Sequence, residues 1–228
     1  MQIRISKIEK LWFLIAIVAL FAAVIFSIVV SNNDALWGEV GLSKWMHDKT
    51  PTPIDFLGDV LDPVITDVGA PLLFLFLLLA CYHSWGRLPT IGLAMAGSMT
   101  ALTRISDIVE RPAPNHDFLY KTGIYHFGDG GYPSGHIVYA IMIFGMIAYL
   151  SNANSALRKR RAIQFSMLAL IFLNIWTRIS ELHHWPGDVL GGILISTPAL
   201  LLTIWIYGRL PRIMLKSPKL HRFVFPDA

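Results

Sequence analysis

The chain has 228 residues, of which 54% are hydrophobic and 15% charged, with a formal net charge of +4. A soluble domain carries about 25% charged residues, and here the apolar residues come in long blocks, so the profile is that of one polytopic membrane domain over residues 1–228. The basic residues cluster beside those blocks, which argues for membrane topology and against nucleic-acid binding, and the single cysteine, Cys81, excludes an intrachain disulfide and a cysteine-built zinc site.

The first predicted membrane helix covers residues 11–30, long enough to cross a bilayer at about 1.5 Å per residue. Arg4, Lys7 and Lys10 precede it and no small-residue cleavage site follows, so it reads as a retained helix and not a signal peptide. Residues 31–67 are acidic, with Asp34, Glu39, Asp48, Asp55, Asp59, Asp62 and Asp67 against Lys44 and Lys49. Within them Leu36, Trp37, Val40, Leu42, Trp45 and Met46 predict a helix lying in the interface, and residues 54–68 a second short surface helix. Asp55, Asp59 and Asp62 share a face of that second helix; a divalent-cation site is conceivable there, but a solvated face is the simpler reading.

Further membrane helices are predicted at about 68–82, 90–109, 136–150, 163–182 and 188–207, making a six-helix all-α bundle with short interfacial helices in its first external segment. A polar loop at 113–131 carries Phe118, Tyr120, Tyr125 and Phe127. The N-terminal segment, the 83–88 turn, the 151–161 loop and the tail (Arg209, Arg212, Lys216, Lys219, Arg222) are basic, which predicts that both termini and these loops are cytoplasmic. Six crossings then put the acidic segment, the 110–135 loop and the 183–187 turn on the extracytoplasmic side.

Three polar clusters fall at that outer boundary: Arg104, Asp107 and Arg111; Pro133-Ser134-Gly135-His136; and Arg178 with His184-Trp185-Pro186-Gly187-Asp188. Taken singly, each arginine can be a snorkelling side chain and His184 an interfacial histidine. Together they suit an anion. Guanidinium forks and a backbone N–H at a helix start bind phosphate oxygens. A histidine near an aspartate suits an oriented nucleophile, a second histidine can act as a general acid, and the arginines can balance phosphoryl charge without a metal.

In that order, Arg104-x6-Arg111-Pro112, Pro133-Ser134-Gly135-His136 and Arg178-x5-His184-x3-Asp188 resemble the three-part signature of the type 2 phosphatidic acid phosphatase (PAP2) superfamily over a core of about residues 70–207. The resemblance implies a phosphoric ester hydrolase without cofactor or metal. His184 is then the nucleophile that becomes a phosphohistidine, Asp188 orients it, and His136 protonates the leaving oxygen. Arg104, Arg111, Ser134, Gly135 and Arg178 bind the substrate phosphate. Arg104 stands where the family usually has lysine, and Thr177 where serine is common. His183 adjoins His184, and His116 and His126 lie outside the motifs.

The substrate expected is a lipid phosphate presented at the outer face of a bacterial inner membrane, with undecaprenyl diphosphate first. Phosphatidylglycerol phosphate, phosphatidic acid and lipid A, by hydrolysis or phosphotransfer, stand behind it, and Tyr120, Lys121, Tyr125 and His126 are candidates for choosing among them. The alternative of a different class is a lipid transporter or flippase without hydrolysis, although a transporter would place charge at mid-membrane; the vanadium haloperoxidases, which resemble the family in their anion site, are soluble.

Overall fold

The computed structural model describes residues 7–65, 68–109, 111–114, 131–153 and 156–214, and these are helical, with no strand among them. Nine α-helices follow in order: α1 (Lys7–Ser31), α2 (Glu39–Lys49), α3 (Thr52–Leu61), α4 (Gly69–Trp85), α5 (Arg87–Ser98), α6 (Gly135–Leu150), α7 (Leu157–Ser180), α8 (Pro186–Tyr207) and α9 (Leu210–Met214). The expected 113–131 loop aromatics, with His116, Lys121 and His126, and the basic tail beyond residue 214 lie outside the described residues.

The bundle is built around α6. It is apolar on all sides, 67% of its span is buried, and it packs against α5, α7 and α8. By contrast only 11% of the α1 span is buried; it lies along α8 and turns Leu14, Val18, Phe21 and Ile28 outward, as a lipid-facing helix does. Because α6, α7 and α8 run antiparallel through short turns, the start of α6, the end of α7 and the start of α8 meet at one end of the bundle. Residues 31–65 cover that end. Trp176 Nε1 of α7 donates to Thr50 Oγ1 at 2.9 Å, and the His47 ring donates from Nδ1 to the Ser180 carbonyl at 2.7 Å, so α2 is pinned to the end of α7. α3 seats on α7 through Gly58, where an added Cβ would lie 1.7 Å from Glu181 Oε1.

The all-helical expectation holds, while the number of long spans is smaller than the six expected. Among the described residues four helices are long and apolar enough to cross a membrane alone, and a fifth candidate arises if Thr52–Ile65 and Gly69–Trp85 count as one bent span. Where residues 90–109 were expected to form a third span, α5 stops at Ser98 and Met99–Asp107 continues as 3-10 helix. Hydroxyl groups explain the change. Ser98, Thr100 and Ser106 donate to the carbonyls of Met95, Gly97 and Thr103, each three residues back, at 2.7, 2.7 and 2.9 Å. Such bonds compete with the regular ladder and favour the tighter turn.

The tighter turn also sorts side chains into three stripes. Met99, Leu102 and Ile105 line an apolar groove of about 400 Å³ against α1 and α8. Thr100 and Thr103 line a cleft of about 570 Å³ that reaches Gly135 and His136. Ala101, Arg104 and Asp107 face outward.

Candidate active site

Backbone bonds draw the three sequence motifs together. Gly131 N–H donates to the Arg111 carbonyl at 2.7 Å, Ser134 N–H to the Asp188 carbonyl at 3.1 Å, and Trp185 Nε1 to the Pro112 carbonyl at 2.9 Å. α7 ends at Ser180, Leu182 takes a left-handed φ of 59°, and His184 N–H folds back on the Arg178 carbonyl at 3.0 Å. Pro186 then opens α8, a favoured place for a residue without N–H.

His184 faces His136 with ring centroids 6.5 Å apart. Its Nδ1 lies 2.8 Å from the Gly131 carbonyl oxygen. A carbonyl only accepts, so Nδ1 carries a proton, and in the neutral ring the lone pair is then on Nε2. The expected pairing with Asp188 is looser, at 3.8 Å. Asp188 is fully buried and occupied elsewhere: Oδ2 accepts the Trp185 N–H at 2.8 Å, capping α8, and Oδ1 takes Arg111 Nη1 at 2.7 Å. It therefore fixes the backbone that carries His184, while Gly131 sets the ring.

Arg111 is 1% exposed and its donors are spent on Asp188, on the Glu39 carboxylate and on the Asn33 carbonyl at 3.3 Å. Glu39 also accepts the Gly187 N–H at 2.6 Å. Arg178, 2% exposed, pairs with Asp62 through Nη1 and with Glu181 through Nη2 at 2.5 Å, and Nη1 also donates to His183 Nδ1 at 2.9 Å. Burial and the Arg178 charge hold His183 below the usual histidine range, and burial pushes the Glu181 carboxyl up against the opposing pull of Arg178. Ser134 Oγ is buried with no hydrogen-bond partner among the described residues, as is His136 Nε2. Gly135 N–H lies in the first turn of α6, where no intrahelical acceptor exists. A pair of unsatisfied polar atoms beside a free helix start suits an anionic oxygen.

The structure thus brings His136, His184, Asp188, Arg111, Ser134, Gly135 and Arg178 to one end, but not Arg104. The Arg104 side chain is 83% exposed and pairs with Asp107 at 3.5 Å. The 3-10 helix ends at Asp107, so Arg104 and Arg111 do not share one helix face, and Arg104 stays on the outward stripe with Ala101 and Asp107. Sequence reasoning missed Glu39 and Asp62, the carboxylates that hold the two buried arginines. The signal was the acid surplus of residues 31–67 on the side where the arginines gather. Asp55, Asp59 and Asp62 do not form a metal cluster; no group of three or more His, Cys, Asp or Glu side chains suited to a metal occurs among the described residues.

The PAP2 superfamily model matches residues 87–212, more than half of the chain and all three motifs. The chain belongs to the PAP2 superfamily. No curated protein matches the sequence. The fold is similar to the crystal structure of the first transmembrane PAP2 type phosphatidylglycerolphosphate phosphatase from Bacillus subtilis, with a TM-score of 0.67 and 16% identity, covering 87% of this chain and 96% of that one. As a PAP2 protein with membrane-length apolar helices, the chain is a phosphoric ester hydrolase, a membrane lipid phosphatase.

Proposed function

We propose that this PAP2 phosphatase hydrolyses its lipid phosphate through a phosphohistidine at His184. The observation that carries the reading is the facing pair: His184, its Nδ1 held by the Gly131 carbonyl and its backbone N–H donating to the Arg178 carbonyl, and His136 opposite at 6.5 Å. His184 Nε2 attacks phosphorus as the bond to the lipid oxygen breaks. The bonding pair stays on that oxygen, which takes a proton from His136. Water then attacks the phosphohistidine, returns a proton to His136 and frees phosphate. Ser134 Oγ, Gly135 N–H and Arg178 hold the phosphoryl oxygens, and Arg111 steadies Asp188 from behind. In this reading Arg104 stays outside the phosphate shell.

The six-crossing arrangement, with both termini cytoplasmic and the site extracytoplasmic in a bacterial inner membrane, is part of the proposal. α4, with 17 residues, extends about 25 Å, and α5 with its 3-10 continuation about 36 Å, so each comes near or exceeds a hydrocarbon core of about 30 Å. The cleft beside His136, apolar along Ile65, Ala70 and Pro71, suits a lipid tail next to the leaving oxygen. A polyprenyl diphosphate such as undecaprenyl diphosphate is the first substrate. Phosphatidylglycerol phosphate is the second, favoured by the fold shared with the Bacillus enzyme.

Phosphate release from undecaprenyl diphosphate, phosphatidylglycerol phosphate, phosphatidic acid and lipid A by the purified chain in detergent tests this. Undecaprenyl diphosphate is expected to be fastest, with activity lost about 10³-fold or more in His184→Ala and unaffected by EDTA. Release from none of the four lipids, or full activity in His184→Ala, would sink the mechanism.

A further inference from the structure

The acid step needs a proton on His136. Arg178 from α7 and His183 and His184 from the following turn stand around the ring, and none of them carries a negative charge. The negative charge comes from Asp62, which opens the 3-10 turn after α3. Its Oδ1 lies 3.5 Å from His136 Nε2, and among the described residues no other carboxylate stands within ion-pair reach of that ring. Nε2 is buried and has no hydrogen-bond partner among the described residues, and the Asp62 carboxylate is the acceptor it faces. Although the Asp62 side chain is 37% exposed, it is anchored by Arg178, which Glu181 braces from the other side.

The geometry points to Asp62 as a positioning residue of the reaction: its carboxylate holds the His136 imidazolium in place and keeps the proton available to the leaving oxygen. This rests on the reading of His136 as the leaving-group acid. As the P–O bond breaks and its electron pair stays on the lipid oxygen, the proton passes from His136 to that oxygen, and Asp62 remains ionised throughout. The returning proton comes from the water that cleaves the P–N bond.

The test compares Asp62→Asn and Asp62→Glu in the full-length chain in detergent, with a lipid alkyl phosphate and with p-nitrophenyl phosphate, whose leaving group departs without a proton. In Asp62→Asn, kcat on the lipid falls by about tenfold or more with KM little changed, and the alkaline limb of kcat moves to lower pH. The loss on p-nitrophenyl phosphate is smaller by at least about fivefold, and Asp62→Glu restores part of the lipid rate. Equal losses on both substrates would overturn the proposal, because the residue would then act through Arg178 or the fold. A gain in rate would also overturn it, by making the carboxylate a competitor of phosphate. His136→Ala, run in parallel, separates the two levels: if it shows no leaving-group dependence, the acid assignment itself has failed and not only the role of Asp62.

Discussion

At the scale of single residues, the site is a set of paired charges more than a set of free ones. Arg111 is held between Glu39 and Asp188 with side chains at or near full burial. Removing one partner of a buried pair is far more damaging than the pair is stabilising, because it strands the other charge. Glu39→Ala is therefore expected to lower stability by about 3 kcal/mol, measured by denaturant unfolding in detergent. Glu39→Gln, which can still accept the Gly187 N–H, should lose less. The same side chain bonds Leu36 N–H and so fixes the start of α2. Sequence reading singled out residues whose chemistry is declared by type and spacing, such as His136, His184 and Arg178, and the fold brings these to one end of the bundle. It could not find Glu39 or Asp62, because their partners lie 72 and 116 positions away in the chain.

At the scale of elements, α8 meets its neighbours through small residues. A Cβ at Gly191 would lie 2.1 Å from the Tyr132 ring, and one at Gly192 3.1 Å from Ile137. Tyr132 is fully buried and its hydroxyl lies 2.7 Å from Ser27 Oγ of α1, so this approach ties α1, the Ser134 turn and α8 together. Overpacking of this kind costs about 1–3 kcal/mol. Gly191→Ala should lower the unfolding temperature and with it phosphate release, and adding Tyr132→Leu should recover part of the stability; an unchanged melting curve for Gly191→Ala would contradict the close contact. Helices α1, α6, α7 and α8 were legible because long apolar runs have few alternatives. The break at Ser98 was not, since Thr100 and Ser106 read equally well as ordinary helix residues until their hydroxyls are seen bonding three residues back. That one local choice decides where Arg104 points.

At the scale of the molecule, the site occupies one end of the bundle and the α6–α7 turn the other, about 24 Å apart along the 16 residues of α6. Trp37 is fully exposed at the site end, and Asn152 is exposed at the opposite end. With Cys81 replaced by serine, Trp37→Cys should react with an impermeant thiol reagent from outside intact cells, and Asn152→Cys only after the membrane is opened. Reaction of both from the same side would refute the proposed topology. The family signature lies within residues 87–212, yet each of its two buried arginines takes one of its two carboxylate partners from outside that range, Glu39 for Arg111 and Asp62 for Arg178. A fragment trimmed to the recognisable core would leave Arg111 with Asp188 alone and Arg178 with Glu181 alone. The smallest working unit of this enzyme is therefore expected to be larger than the part by which it is recognised, and to include Glu39 and Asp62.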